Sequence, residues 1–155
     1  MGNTMRWPAL SLQVAHFRPI HPTFSQHNMT QATVVSTPNA PAAIGPYSQA
    51  IKLGNLVFTS GQIGLNPATG ELVGASTEAQ ARQAFSNLKA VAEEAGGSLA
   101  NVVKFTLFLT DLSEFAQVNA IMQEYVSAPF PARSTVGVAS LPKGARFEVE
   151  AILAL

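Results

Sequence analysis

Cysteine is absent from all 155 residues. Its absence excludes disulfides, thiolate nucleophiles and zinc-thiolate sites together, and it fits a reducing compartment. Histidine is nearly absent: His16, His21 and His27 are the whole complement, and all three precede Asn28. Charge is scarce as well, at 12% of residues against 47% hydrophobic. That charged share is about half the usual one, so a disordered chain is excluded and part of the apolar surface is expected to lie against another subunit. Nine basic side chains balance nine acidic ones, leaving no bulk positive field to hold a polyphosphate. No apolar run reaches the roughly 18 residues of a transmembrane helix, so a membrane is not an expected partner. The length suits one domain with a real core.

The chain divides unevenly. Residues 1–28 contain Arg6, Arg18, Pro8, Pro19 and Pro22, no acidic residue and no periodic apolar face. Their prolines make a poor amphipathic helix for a mitochondrial presequence, and the continuous apolar stretch of a secretory signal is missing. Gly2 is followed by Arg6 where myristoylation wants Ser or Thr at the sixth position. Residues 1–28 therefore read as a disordered extension before a single domain at 29–155, with Met29 as an alternative first residue. The expected location is the cytoplasm, or the mitochondrion if residues 1–28 act as a presequence. The body from Met29 carries seven basic and nine acidic side chains, a formal charge of −2, and no histidine. Any catalysis there proceeds without His or Cys.

From Thr33 the punctuation is regular. Val34-Val35 reads as a short strand, and Ser48–Leu53 and Leu56–Ser60 as a hairpin around Gly54-Asn55. Ala81, Ala84, Phe85, Leu88, Val91, Ala92 and Ala95 recur at helical spacing until Gly96-Gly97, with Thr77 and Gln80 resembling a capping box. Val102–Leu109 is a strand, and Ser113 is expected to cap a second helix through Phe115, Val118, Ile121, Met122 and Tyr125. Pro129 and Pro131 break that helix, Arg133–Val138 is a strand, and Arg146–Leu153 is a closing strand with alternating faces. The order β-β-β-α-β-α-β-β implies an α+β fold, a mixed β-sheet with two helices packed on one face. The other face is expected to be bare and apolar, a place for a subunit contact.

Few residues of the body are available for chemistry. Arg133 follows the stiff Pro129-Phe-Pro131-Ala132 approach, and its planar fork of donors suits a carboxylate. The competing use of Arg133 is a structural ion pair with Glu148 or Glu150. Glu148 sits among Phe147, Val149, Ala151 and Ile152, where a carboxyl group is costly to bury and tends toward a raised pKa suited to proton exchange. Glu150 shares its face, and the sequence does not choose between them. Tyr47 is placed by Gly45-Pro46, and Gly61 in Ser60-Gly61-Gln62 lets a ligand approach backbone N–H groups. Asn119 is polar in a mostly apolar helix, a position that usually faces solvent. Ser60 has no histidine partner in the body, and no H-x-x-x-H, Walker loop or dinucleotide fingerprint is present, so no metal or cofactor is expected.

Six blocks then resemble the Rid family of reactive intermediate deaminases, also called YjgF-like. They are Ala42-Ala-Ile-Gly-Pro-Tyr-Ser-Gln-Ala50, Phe58-Thr-Ser-Gly-Gln-Ile63, Gln80-Ala-Arg-Gln-Ala84, Val118-Asn119, Pro131-Ala-Arg-Ser-Thr-Val136 and Glu148-Val-Glu-Ala-Ile152. They cover the chain from about Thr33 to Leu155, and the arginine block resembles the RidA branch. The resemblance implies a chorismate-mutase-like (YjgF-like) α+β fold assembled as a homotrimer with active sites between subunits. It implies hydrolysis of 2-iminobutanoate and 2-iminopropanoate, released by pyridoxal-phosphate enzymes such as threonine or serine dehydratase, to 2-keto acids and ammonia, without a cofactor. By the same resemblance Arg133 holds the substrate carboxylate and Glu148 lies near the attacking water. Tyr47, Ser60, Gly61, Asn119 and the backbone at Thr135 line the pocket. Two other functions are compatible with the same cleft: a non-catalytic regulatory trimer binding keto acids or other carboxylates, or an endoribonuclease or translation inhibitor. The acidic body without histidine or a basic, aromatic-studded stripe argues against nucleic acid as a partner.

Overall fold

The computed structural model describes residues 31–155, so the extension at 1–28 and the candidate start at Met29 lie outside the described residues. Strands β1 (Thr33–Val35), β2 (Ala50–Leu53), β3 (Leu56–Thr59) and β4 (Gln62–Ile63) precede helix α1 (Thr77–Glu94). After it come β5 (Val102–Leu109), α2 (Phe115–Tyr125), β6 (Ala132–Gly137) and β7 (Phe147–Ala154). The sheet runs β1-β2-β3-β7-β5-β6, with β4 also on β7. Among the described strands only β5 and β6 are parallel, joined by the crossover through α2 that a parallel pair requires. This is the expected mixed sheet with two helices on one face.

The helices form where apolar spacing demands burial. Phe85, Leu88, Val91, Val118 and Ile121 meet Phe105, Leu107, Phe147, Val149 and Leu153 from the sheet. The Phe85 ring lies 6.1 Å from Phe105 and 5.6 Å from Phe147, centroid to centroid. Each such side chain contributes about 1.5–3 kcal/mol by leaving water. Gly96, at φ +95°, takes the left-handed turn that ends α1.

The caps differ from expectation by one or two residues. Ser76, not Thr77, caps α1, its hydroxyl accepting from the Ala79 N–H at 3.2 Å. Gln80 cannot close a capping box because its amide is buried toward the sheet, donating to the Gly74 carbonyl and accepting from the Arg146 N–H, each at 2.7 Å. Ser113 does not cap α2 either. Asp111 accepts from the Ser113 N–H at 2.9 Å and starts a 3-10 turn, Leu112–Glu114, that leads into the helix. Strand β4 was not legible, since two residues carry no period. It extends the pairing on β7: β3 covers Ile152 to Ala154, and β4 covers Glu148 and Val149.

The open face is not uniformly apolar. Leu53, Leu56 and Phe58 make it so on β2 and β3, but Lys104, Thr106 and Glu150 stand at its centre. The cause is the alternation of β5 and β7, which turns these three outward as it turns Phe105, Leu107 and Val149 inward.

One buried amide fixes the loop between β1 and β2. Gln49 accepts from the Thr37 N–H at 2.6 Å and donates to the carbonyls of Thr37, Ala40 and Pro41 at 3.0, 3.2 and 2.8 Å. Gln49→Leu leaves these groups unpaired, so we expect a loss of about 2–3 kcal/mol of stability, read from the urea midpoint.

Candidate active site

Edge strand β6 presents Arg133. Arg133 pairs with Phe105, whose partner across β5 is Ala151, and both of these face the helices. The arginine therefore lies over α2. Its Nη1 donates to Asn119 Oδ1 at 2.6 Å and lies 3.8 Å from the Met122 sulfur, and its Cζ stands 5.1 Å from the Phe115 ring centroid. Asn119 thus faces the guanidinium. Thr135, on the same side of β6, joins Arg133, Leu112 and Phe115 around an open hollow of about 480 Å³, and its Oγ1 is buried without a partner among the described residues.

Arg133 makes no ion pair among the described residues. The competing pairing with Glu148 or Glu150 is not formed. Glu148 lies three positions from Ala151 on β7, and Glu150 one, so both project from the opposite face of the sheet. Two other arginines do sit in ion pairs: Arg82 with Glu78 and Glu124, and Arg146, 3.1 Å from Glu114 and bonded to the Thr77 hydroxyl at 2.8 Å.

Glu148 occupies the central strand, between Ile63 of β4 and Phe108 of β5. It opens into a hollow of about 470 Å³ with Tyr47, Ser60, Gly61 and Ile44 around it. Burial pushes its carboxyl up from the ordinary glutamate value, and the charge of Glu150 adds to the effect. Among the described residues nothing hydrogen-bonds the carboxylate to offset this. Glu150 faces a different hollow, with Lys104 and Thr106, so the structure separates two carboxylates that the sequence left equivalent.

Gly61 explains how Glu148 fits. A Cβ at position 61 would lie 1.8 Å from Glu148 Oε1 and 2.7 Å from its Cδ, so the carboxylate occupies space that any other residue would fill. Gly61→Ala should keep the fold, because only the end of a flexible side chain must yield. If Glu148 acts on the imine that the family resemblance implies, the displaced carboxylate should lower turnover roughly tenfold, a kinetic assay being the check. Ser60 is less available than the sequence suggested. Its hydroxyl donates to the Ser48 carbonyl at 2.6 Å and its N–H to the Gln49 carbonyl at 2.9 Å, so this N–H is not free for a ligand. Tyr47 is half-exposed at the mouth of the hollow, its N–H bonded to the Gly45 carbonyl at 2.9 Å.

The named residues thus form two groups in one chain. Arg133, Asn119 and Thr135 share the helix side of the sheet's edge, whereas Tyr47, Ser60, Gly61 and Glu148 share the open side. Sequence reasoning missed the contact of Phe115, an apolar position of α2 that lies outside the core, with Arg133, and it missed Gln49, whose hydrogen bonds shape the loop carrying Pro41 and Tyr47; Met122 is a core residue, as its spacing implies, whose sulfur also reaches Arg133. Of these, Gln49 carried a signal only as a member of the Ala42–Ala50 block. The described residues hold no cluster of His, Cys, Asp and Glu that could ligate a metal, and none of their helices is long and apolar enough to cross a membrane.

Residues 37–155 match the family model described as Endoribonuclease L-PSP. A 2-iminobutanoate/2-iminopropanoate deaminase of Dermatophagoides farinae is 49% identical over 127 residues, 82% of this chain and 99% of that protein. The Escherichia coli K12 protein of the same name is 53% identical over 121 residues, 76% of this chain and 94% of its own. The crystal structure of RidA from an Antarctic Psychrobacter superposes with a TM-score of 0.77 at 52% identity, covering 79% of this chain and 99% of that one. Matched by the family model over most of its length and by relatives near half identity along nearly all of theirs, the chain belongs to the Endoribonuclease L-PSP family and is a RidA-like member of the Rid proteins.

Proposed function

We propose that this protein is a 2-iminobutanoate/2-iminopropanoate deaminase, an enzyme that hydrolyses reactive imines to 2-keto acids and ammonia. The observation that carries this function is the Arg133 guanidinium, exposed, charged, held by Asn119 and without a carboxylate partner among the described residues. Relatives at 49% and 53% identity bear the name of that activity. Threonine and serine dehydratases release such imines and are the functional partners.

The chemistry requires little beyond placement. A protonated imine is already electrophilic at C2, so orientation and one proton acceptor suffice. Arg133 grips the carboxylate through two parallel N–H donors. Glu148, as a carboxylate, accepts a proton from water while the water oxygen bonds to C2 and the C=N π electrons move to nitrogen. The resulting carbinolamine takes a proton on nitrogen, the C–N bond breaks with its pair leaving as ammonia, and the hydroxyl oxygen loses its proton to become the keto oxygen. No step needs a metal or an organic cofactor.

Arg133 and Glu148 lie on opposite faces of one sheet, so a site using both takes one from each of two copies. This supports a homotrimer with three sites between subunits, covering the apolar strip on β2 and β3. The family description names an endoribonuclease, but one arginine above a largely apolar hollow suits a small acid better than an RNA backbone. The test is release of keto acid and ammonia when purified protein from Met29 is added to a threonine dehydratase reaction, with its mass in solution measured in parallel. No acceleration over the uncatalysed decay of the imine, or a monomeric mass at full activity, would overturn the proposal.

A further inference from the structure

Helix α2 begins with Phe115, whose ring is not in the core. It is 37% exposed, whereas Val118 and Ile121, on the core side of the same helix, are 0% and 2% exposed. Phe115, Asn119 and Met122 stand at i, i+4 and i+7, one stripe of the helix. All three meet the same guanidinium: the ring lies 5.1 Å from Cζ, the Asn119 amide oxygen 2.6 Å from Nη1, and the Met122 sulfur 3.8 Å from Nη1.

A ring below Cζ at that distance is within range of a cation–π contact. The contact is with Cζ, and among the described residues only Nη1 of the guanidinium hydrogen-bonds. Asn119 occupies Nη1, so Nε and Nη2 remain, two parallel donors that match a carboxylate in plane. On an exposed edge strand, a long and flexible arginine would otherwise sample many orientations.

We infer that Phe115 is a positioning residue for the carboxylate clamp: its ring holds Arg133 edge-on toward the hollow shared with Thr135, ready to receive the carboxylate of a 2-imino acid. Its role rests on the deaminase function proposed above. It acts through Arg133, so it governs capture of the substrate more than the proton transfers at Glu148.

The experiment compares Phe115→Leu, Phe115→Tyr and Phe115→Trp in the full chain. Leucine keeps the apolar bulk and removes the ring, while tyrosine and tryptophan keep a ring. Two quantities are measured: the KM and kcat for 2-iminobutanoate, and the Kd for 2-ketobutanoate, a stable carboxylate probe, by calorimetry. Phe115→Leu should raise KM and Kd about two- to fivefold with a smaller change in kcat, and Phe115→Tyr should restore both. A leucine variant with wild-type KM and Kd, or tyrosine and tryptophan variants as weak as leucine, overturns the role. If the wild type binds 2-ketobutanoate but hydrolyses no imine, the deaminase function fails, and the order of Kd values still decides whether Phe115 positions Arg133.

Discussion

Arg133→Ala should lower kcat/KM for 2-iminobutanoate about 100-fold or more while leaving the fold intact. Each hydrogen bond to a charged group is worth about 1.5–3 kcal/mol, and the clamp makes two, so the lower bound of about 3 kcal/mol already gives that factor. The fold is spared because the side chain is exposed and in no ion pair among the described residues. Its removal frees Asn119, which is itself only partly buried. Circular dichroism and solution mass check the fold, and a dehydratase-coupled assay reads the rate. Arg133→Lys tests the geometry separately: lysine keeps the charge but loses the two-pronged grip, so it should recover only part of the activity. An unchanged rate in the alanine variant would remove Arg133 from the mechanism.

Glu148→Gln should lower kcat about 10²- to 10⁴-fold, the usual contribution of a placed proton acceptor, with a smaller effect on KM. The pH profile gives a second handle. Burial and Glu150 raise the carboxyl pKa, and turnover needs the carboxylate form, so the wild-type rate should fall on acidification at a pH above the ordinary glutamate range. The glutamine variant should lack that limb.

Stability follows with the opposite tendency. The folded protein holds the Glu148 proton more tightly than the unfolded chain does. Stability from this group is therefore full below the unfolded pKa and declines as pH rises through the raised folded one. Glu148→Gln should remove the decline, giving a variant that is less active but no less stable at neutral pH, measurable from denaturant midpoints across pH. A loss in KM alone would make Glu148 a binding group and leave the proton acceptor unassigned.

The long elements were legible because their periods are long enough to recognise. Helix α1 repeats its apolar residues over several turns, β5 is a β-branched and apolar run interrupted only by Lys104, and β7 alternates over eight residues. Arg133 and Glu148 stood out for an equally local reason, a charged side chain beside prolines or within an apolar strand. Other features had no local trace. Strand β4 is defined by its partner on β7. Asn119 looked like a solvent-facing residue because its acceptor role needs Arg133, fourteen positions later. Glu148 and Glu150 are equivalent by alternation, and only the placement of Gly61 against one of them separates the two.

By itself the sequence determined the class of fold, the absence of thiol and imidazole chemistry from the body, and a short set of charged candidates for handling a small acid, Arg133 with Glu148 or Glu150. These depend on residue type and short-range spacing, which the chain carries openly. The tertiary structure decided that Arg133 and Glu148 face away from each other across one sheet, that the Phe115 ring lies beside the arginine and outside the core, and that Gly61 makes room for Glu148. Such relations arise from strand register and from contacts between residues far apart in the chain, and no local pattern encodes them.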